Sequence, residues 1–230
     1  MMYILEGLTE ALRLLSIGDN GVYGIAGVSL FVAGISTLLA GLVGLPVGYF
    51  VAMRAFRGRR AVTLILNTLL ALPTVVIGLV VYALLSRRGP LGFIDLLYTP
   101  SAMIVGETLL AVPIVAVFAL SALRAVDPRA ADTAATLGAT PAQTAWVVLT
   151  EARFGLLSAV VASFGRVVAE VGIAMMLGGN IKDSTRTMTT AIALETGKGE
   201  FGTALALGIV LLIAAFAANI VFHWLQGFSE

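Results

Sequence analysis

The chain has 230 residues, of which 59% are hydrophobic and 12% charged, far below the roughly 25% charge of soluble globular domains; its mean hydropathy is +1.02. That composition excludes a soluble domain and predicts one all-α membrane domain over residues 1–230. The net charge of +1 offers no field for nucleic acid, and zero cysteines exclude disulfides, thiolate metal sites and thiol chemistry.

Residues 1–20 predict an interfacial amphipathic helix and a turn. Ile4, Leu5, Leu8, Ala11, Leu12 and Leu15 share one helical face, with Glu6, Glu10 and Arg13 opposite. A cap on the helix bundle needs the same geometry and is an equal alternative. The segment lacks the positive start of a signal peptide, and Asp19-Asn20-Gly21 turns the chain. Five apolar blocks follow, at about 25–53, 61–85, 102–123, 154–178 and 202–224. Each is long enough for a hydrocarbon core of roughly 30 Å at about 1.5 Å per residue. Five transmembrane helices are therefore expected.

Within the first block, Gly44 and Gly48, and the series Gly34, Gly41, Gly44, predict close helix approach. Pro46, Pro73 and Pro113 lie inside apolar runs and are expected to kink or break them. Arg54, Arg57, Arg59 and Arg60 crowd the short loop after the first block with no acid among them. By the positive-inside rule that loop is cytoplasmic, which puts the N-terminus outside and the C-terminus inside.

The stretch from Arg124 to Arg153, between the third and fourth blocks, is the exception to the apolar pattern. It carries Asp127, Pro128, Arg129, Asp132, Thr140, Pro141 and Gln143, yet both halves keep helical spacing. An elbow of two helices too polar for lipid must face water or a soluble partner. No phosphate-binding loop of the form G-x-x-x-x-G-K-[ST] occurs, since the only Gly-Lys pair, Gly197-Lys198, is followed by glycine. No H-E-x-x-H motif occurs either. The single histidine, His223, sits beside Trp224 at a block end, where an interfacial aromatic belt is expected. No catalytic or metal-binding residue is assigned, and the chain is not expected to be an enzyme.

Ionisable residues at membrane depth are costly and therefore informative. Glu107 lies early in the third block, and Arg166 and Glu170 stand four apart in the fourth, on one helix face. One reading is an ion pair, completed by Glu107 or a backbone carbonyl, that holds helices together. The other is an arginine facing a watery path and offering positive potential to an anion. The spacing favours the first, because a paired arginine presents little net field.

The core of the elbow, Asp132-Thr133-Ala134-Ala135-Thr136-Leu137-Gly138-Ala139-Thr140, resembles the EAA-x-x-LGA coupling loop of ABC importer permeases. Leu72-Pro73-Thr74-Val75-Val76-Ile77-Gly78-Leu79 and Arg88-Gly89-Pro90-Leu91-Gly92 look like a core helix and outer loop of the oxyanion permeases. The segment Ser163–Gly172 is similar to their R-x-x-x-E-x-G stretch. Met175–Ile181, Met188–Thr196 and Glu151–Gly155 look most like the tungstate-type permeases. Two positions depart from the loop pattern: its usual glutamate is Asp132, and the next alanine is Thr133. Thr150-Glu151 also replaces a common downstream Leu-Pro.

The resemblance implies a type I permease fold in the cell membrane, working as a homodimer with the path on the two-fold axis. It implies two cytoplasmic ATP-binding subunits and an extracytoplasmic oxyanion-binding protein. ATP and magnesium would be handled by the ATPase partner, with no cofactor bound by this chain. Asp132, Thr133, Ala134, Leu137, Gly138, Ala139 and Thr140 would couple to that ATPase, and the cargo would be a tetrahedral oxyanion, tungstate or molybdate. The competing class is an ion-coupled secondary transporter using Glu107, Arg166 and Glu170. Against it, the sequence shows no inverted repeat of broken helices, and the elbow would have no purpose. A passive channel is a third reading, and it predicts conductance without ATP.

Overall fold

A computed structural model describes the backbone of residues 2–227 and the side chains of residues 5–220. The described residues are all-α, without a β-strand. Ten helices follow in order: α1 (Met2–Ile17), α2 (Asn20–Met53), α3 (Arg59–Leu70), α4 (Thr74–Leu85), α5 (Pro100–Ala125), α6 (Pro128–Thr136), α7 (Pro141–Glu151), α8 (Arg153–Val168), α9 (Met188–Lys198) and α10 (Phe201–Gly227).

The long helices start where short polar side chains satisfy free backbone N–H groups. Asp19 accepts from the Gly21 amide at 3.3 Å to open α2. Thr99 accepts from Ala102 at 3.3 Å to open α5, with Pro100 in the first turn. These two helices form the central pair, with α8 packed on both and α10 against α1, α8 and α9. Gly44 and Gly48 make the central contact possible. A Cβ on Gly44 would stand 2.8 Å from the Val115 Cβ, and one on Gly48 only 2.7 Å from the Ala116 carbonyl oxygen. Gly34 differs from the expectation, since nothing lies within 4 Å of its Cβ position.

Three helices are long and apolar enough to cross a membrane alone, and five spans result if each of two bent pairs counts as one. Two of the five blocks are therefore not straight helices. Residues 61–85 are α3 and α4, which meet at a 98° bend over Ala71-Leu72-Pro73. Pro73 has no N–H to donate and sits in extended backbone (ψ 127) as the N-cap of α4. The Ala71 and Leu72 amides turn back to the Thr68 and Leu69 carbonyls at 3.0 and 3.3 Å. Pro46 and Pro113, by contrast, lie inside continuous helices. Residues 154–178 also divide. Helix α8 ends at Val168, and after a break the chain resumes in a segment whose last five residues, Ala174–Gly178, are a π-helix. Instead α8 extends backward into α7 across a 61° bend.

Helix α1 packs on α10, as the bundle-cap reading expects. Gly7 and Ala11 are buried, with the Phe201 ring where a Gly7 side chain would go, while Leu5, Leu8 and Leu12 stay exposed. It caps α10 with one stripe and leaves an apolar face outward. The side chain of Ile4, and those of His223 and Trp224 with their interfacial reading, lie outside the described residues.

Candidate functional site: the elbow and the buried ion pair

The elbow forms as two short helices with matched ends. Asp127 caps α6, its carboxylate accepting from the Arg129 amide at 2.9 Å and pairing with the Arg129 guanidinium at 2.6 Å. That arginine, with the backbone bond, holds the Asp127 carboxyl below the usual carboxylate range. Helix α6 stops in a Schellman arrangement: the Gly138 amide donates to Ala135 and the Ala139 amide to Ala134, both at 3.0 Å. Gly138 takes φ +82, a conformation that suits glycine. Helix α7 then starts in a capping box. Thr140 Oγ1 accepts from the Gln143 amide at 3.4 Å, and Gln143 Oε1 accepts from the Thr140 amide at 2.8 Å.

This turn is anchored on one side and open on the other. Val148 and Ala152 are buried with Leu123 of α5, and Ala131, Tyr49 and Ala52 pack around them. Among the coupling residues, Ala134 is buried and Ala139 half-buried, while Asp132, Thr133, Leu137, Gly138 and Thr140 are exposed. Leu137 is 83% exposed. Trp146, which the sequence reading missed, is 71% exposed and lines the same concave face as Leu137, Ala139 and Gln143. Its signal was an aromatic residue at helical spacing inside a stretch too polar for lipid.

The structure brings Arg166 and Glu170 together as expected, but not on one helix. Arg166 Nη1 reaches Glu170 Oε2 at 2.7 Å. Glu170 stands beyond the end of α8, its amide bonded back to Val167 at 2.9 Å. Its other oxygen, Oε1, accepts from the Gly172 and Ile173 amides at 2.8 and 3.4 Å. One carboxylate therefore closes the break, capping the resumed helix and pairing with the arginine of the ended one. Its side chain is 3% exposed, against 45% for Arg166.

Glu107 is not in that pair. It is buried in α5, where the Ser36 hydroxyl of α2 donates to Oε2 at 3.3 Å. Two further residues were missed: Thr189 donates its hydroxyl to the Glu170 carbonyl at 2.7 Å, and Thr74 opens α4 beside the break. A Cβ on Gly172 would meet Thr74 Oγ1 at 3.2 Å and Glu170 Oε1 at 3.3 Å. The break before α4 and the break after α8 thus lie side by side.

Residues 44–230 match the family described as "Binding-protein-dependent transport system inner membrane component". The chain belongs to this family of ABC transporter permeases. It is 41% identical over 226 residues, 98% of its own length and 99% of the other's, to the tungstate uptake system permease protein TupB of Peptoclostridium acidaminophilum. It is 42% identical over 224 residues, 97% of this chain and 94% of the other, to the protein of the same name from Campylobacter jejuni. A probable anion ABC transporter permease of Haloferax volcanii is 42% identical over 200 residues, 85% of this chain and 86% of that one. These likenesses place it in the oxyanion group of ABC permeases.

The fold is that of solved type I importer permeases. An inward-facing MetNI methionine ABC transporter chain superposes with a TM-score of 0.72 at 20% identity, covering 93% of this chain and 96% of that one. A bacterial alginate ABC transporter chain, in complex with a pentasaccharide-bound periplasmic protein, reaches 0.74 at 18% identity, with 100% and 88% covered. As a permease of an ABC system, the chain is a non-catalytic membrane component, and the secondary-transporter reading falls to this membership.

Proposed function

We propose that this chain is the permease of an ATP-driven importer for a tetrahedral oxyanion, tungstate before molybdate. It works as a homodimer and couples to two ATPase subunits through the elbow of residues 124–153. The observation that carries the coupling is the elbow's form. It is a doubly capped turn, rooted in a buried cluster at the ends of α2 and α5, with Leu137 and Trp146 exposed. A turn so anchored passes a push on its tip to the central helix pair. ATP changes the transporter only if its ATPase grips the elbow better in one state than in the other.

The same reading places the path along the face where the helices break. Irregular backbone at membrane depth is tolerated against protein or water, not lipid. Ala71, Leu72 and Pro73 are exposed on one chain, and the half-exposed Arg166 stands in the last turn of α8, just before the adjoining break. A second copy across this face would enclose a polar path past Arg166. Selection of the cargo falls to the extracytoplasmic binding protein, with the ATPase subunits and the C-terminus on the cytoplasmic side.

The test co-expresses the chain with a candidate ABC ATPase subunit and measures copurification and cellular tungstate uptake. Trp146→Ala removes a side chain that is mostly in water, so the permease should keep its thermal stability while losing both ATPase retention and uptake. Retention and uptake equal to wild type in Trp146→Ala and in Gly138→Val would sink the coupling assignment. For cargo, the copurified binding protein should be stabilised most by tungstate across a panel of oxyanions.

A further inference from the structure

We propose that Arg59, Arg60 and Arg124 form a binding site for a phosphate-type oxyanion at the elbow end of the bundle. With Thr63 they line one hollow of about 430 Å³. Arg59 and Arg60 begin α3, and Arg124 lies in the last turn of α5, immediately before the elbow. The site is distinct from the ion pair in the membrane, and it holds independently of the cargo assigned above.

Three arginines lining one hollow repel each other, and an anion between them would relieve that repulsion. Among the described residues the ion pairs are Arg13 with Glu10, Arg129 with Asp127, Arg166 with Glu170 and Lys198 with Glu195. None of them relieves this cluster. Arg59 is held in place by one bond, Nη2 to the Ala52 carbonyl at 2.6 Å. Its Nε is enclosed and has no hydrogen-bond acceptor, and a buried donor without a partner is rare enough to need a reason. Thr63 spends its proton on the Arg59 carbonyl at 2.9 Å, so it forms a wall and leaves the arginines as ligands. Arginine's planar fork of donors suits phosphate oxygens. The positive end of α3 adds to the attraction.

Two sources carry this chemistry: an anionic phospholipid headgroup, or free inorganic phosphate. The surroundings favour the headgroup. Leu64 and Ile65, one turn further along α3, are 68% and 57% exposed, so acyl chains have apolar surface beside the phosphate.

The purified permease–ATPase complex is tested by native mass spectrometry with phosphatidylglycerol and with phosphatidylcholine, and by equilibrium dialysis against labelled inorganic phosphate. Wild type should retain phosphatidylglycerol over phosphatidylcholine, and Arg60→Gln/Arg124→Gln should weaken that retention about tenfold or more. Lipid retention that survives millimolar phosphate identifies the headgroup. Saturable phosphate binding that displaces the lipid identifies the free anion. Arg60→Lys/Arg124→Lys keeps the charge but loses the fork, so it should bind between the two and serves where the glutamine variant does not assemble. The proposal is overturned if no preference for phosphatidylglycerol and no phosphate binding are seen. It is equally overturned if both variants bind as wild type does.

Discussion

The Arg166–Glu170 pair is lopsided, and the lopsidedness sets what each substitution should do. Glu170 is almost wholly enclosed, while nearly half of the Arg166 side chain is open. Arg166→Met would strand a buried carboxylate with only the Gly172 and Ile173 amides. That should cost on the order of 3 kcal/mol, the low end for breaking a buried pair because Arg166 is partly exposed. Glu170→Gln leaves an arginine that can still turn to solvent, so its cost should be nearer 1 kcal/mol, for a weakened cap. Arg166→Met/Glu170→Leu removes both charges and should recover part of the loss. Thermal unfolding of the purified complex, read beside tungstate uptake, separates the roles. An Arg166→Met complex as stable as wild type but dead in uptake would assign the arginine to the anion rather than to the fold.

At the scale of elements, the central contact is set by what α2 lacks. Gly48→Ala puts a Cβ against the backbone of Ala116, and against the Ala119 Cβ at 2.8 Å. Backbone cannot swing away as a side-chain tip can, so the two helices must separate. The expected loss is about 1–3 kcal/mol, seen as a lower unfolding temperature, whereas Gly34→Ala, with open space around it, should change stability little. Gly138 fails for another reason. Nothing crowds its Cβ position, but its φ of +82 disfavours a β-branched side chain. Gly138→Asn, a residue that tolerates this conformation, should therefore retain more ATPase than Gly138→Val.

For the whole molecule, the elbow and the four-arginine loop lie at one end of the bundle, since Arg59 and Arg124 line one hollow. Their side of the membrane is testable because the natural chain has no cysteine. An impermeant thiol reagent on intact cells should label Pro90→Cys and leave Arg57→Cys unlabelled. The opposite pattern would invert the orientation, elbow included.

The sequence alone determined the all-α class, the run of apolar blocks and the two-helix elbow. Those rest on local signals, namely apolar run length, helical period and a polar stretch that cannot enter lipid. It also named Arg166 and Glu170, because charge at membrane depth stands out by composition. It expected all three prolines to kink or break their helices, and could not tell that Pro73 alone would end one, at a 98° bend, or that the fourth block breaks before Glu170. An apolar run reads the same whether its helix is straight or broken, and of three prolines inside such runs only Pro73 ends a helix. The difference is tertiary. Pro113 is buried in α5, and Pro46 lies in α2 between Gly44 and Gly48, which pack closely on α5, whereas the start of α4 lies beside Gly172. Tertiary structure also decided which glycines carry the packing and that Trp146 stands exposed on the elbow, because both depend on what stands opposite a residue in space.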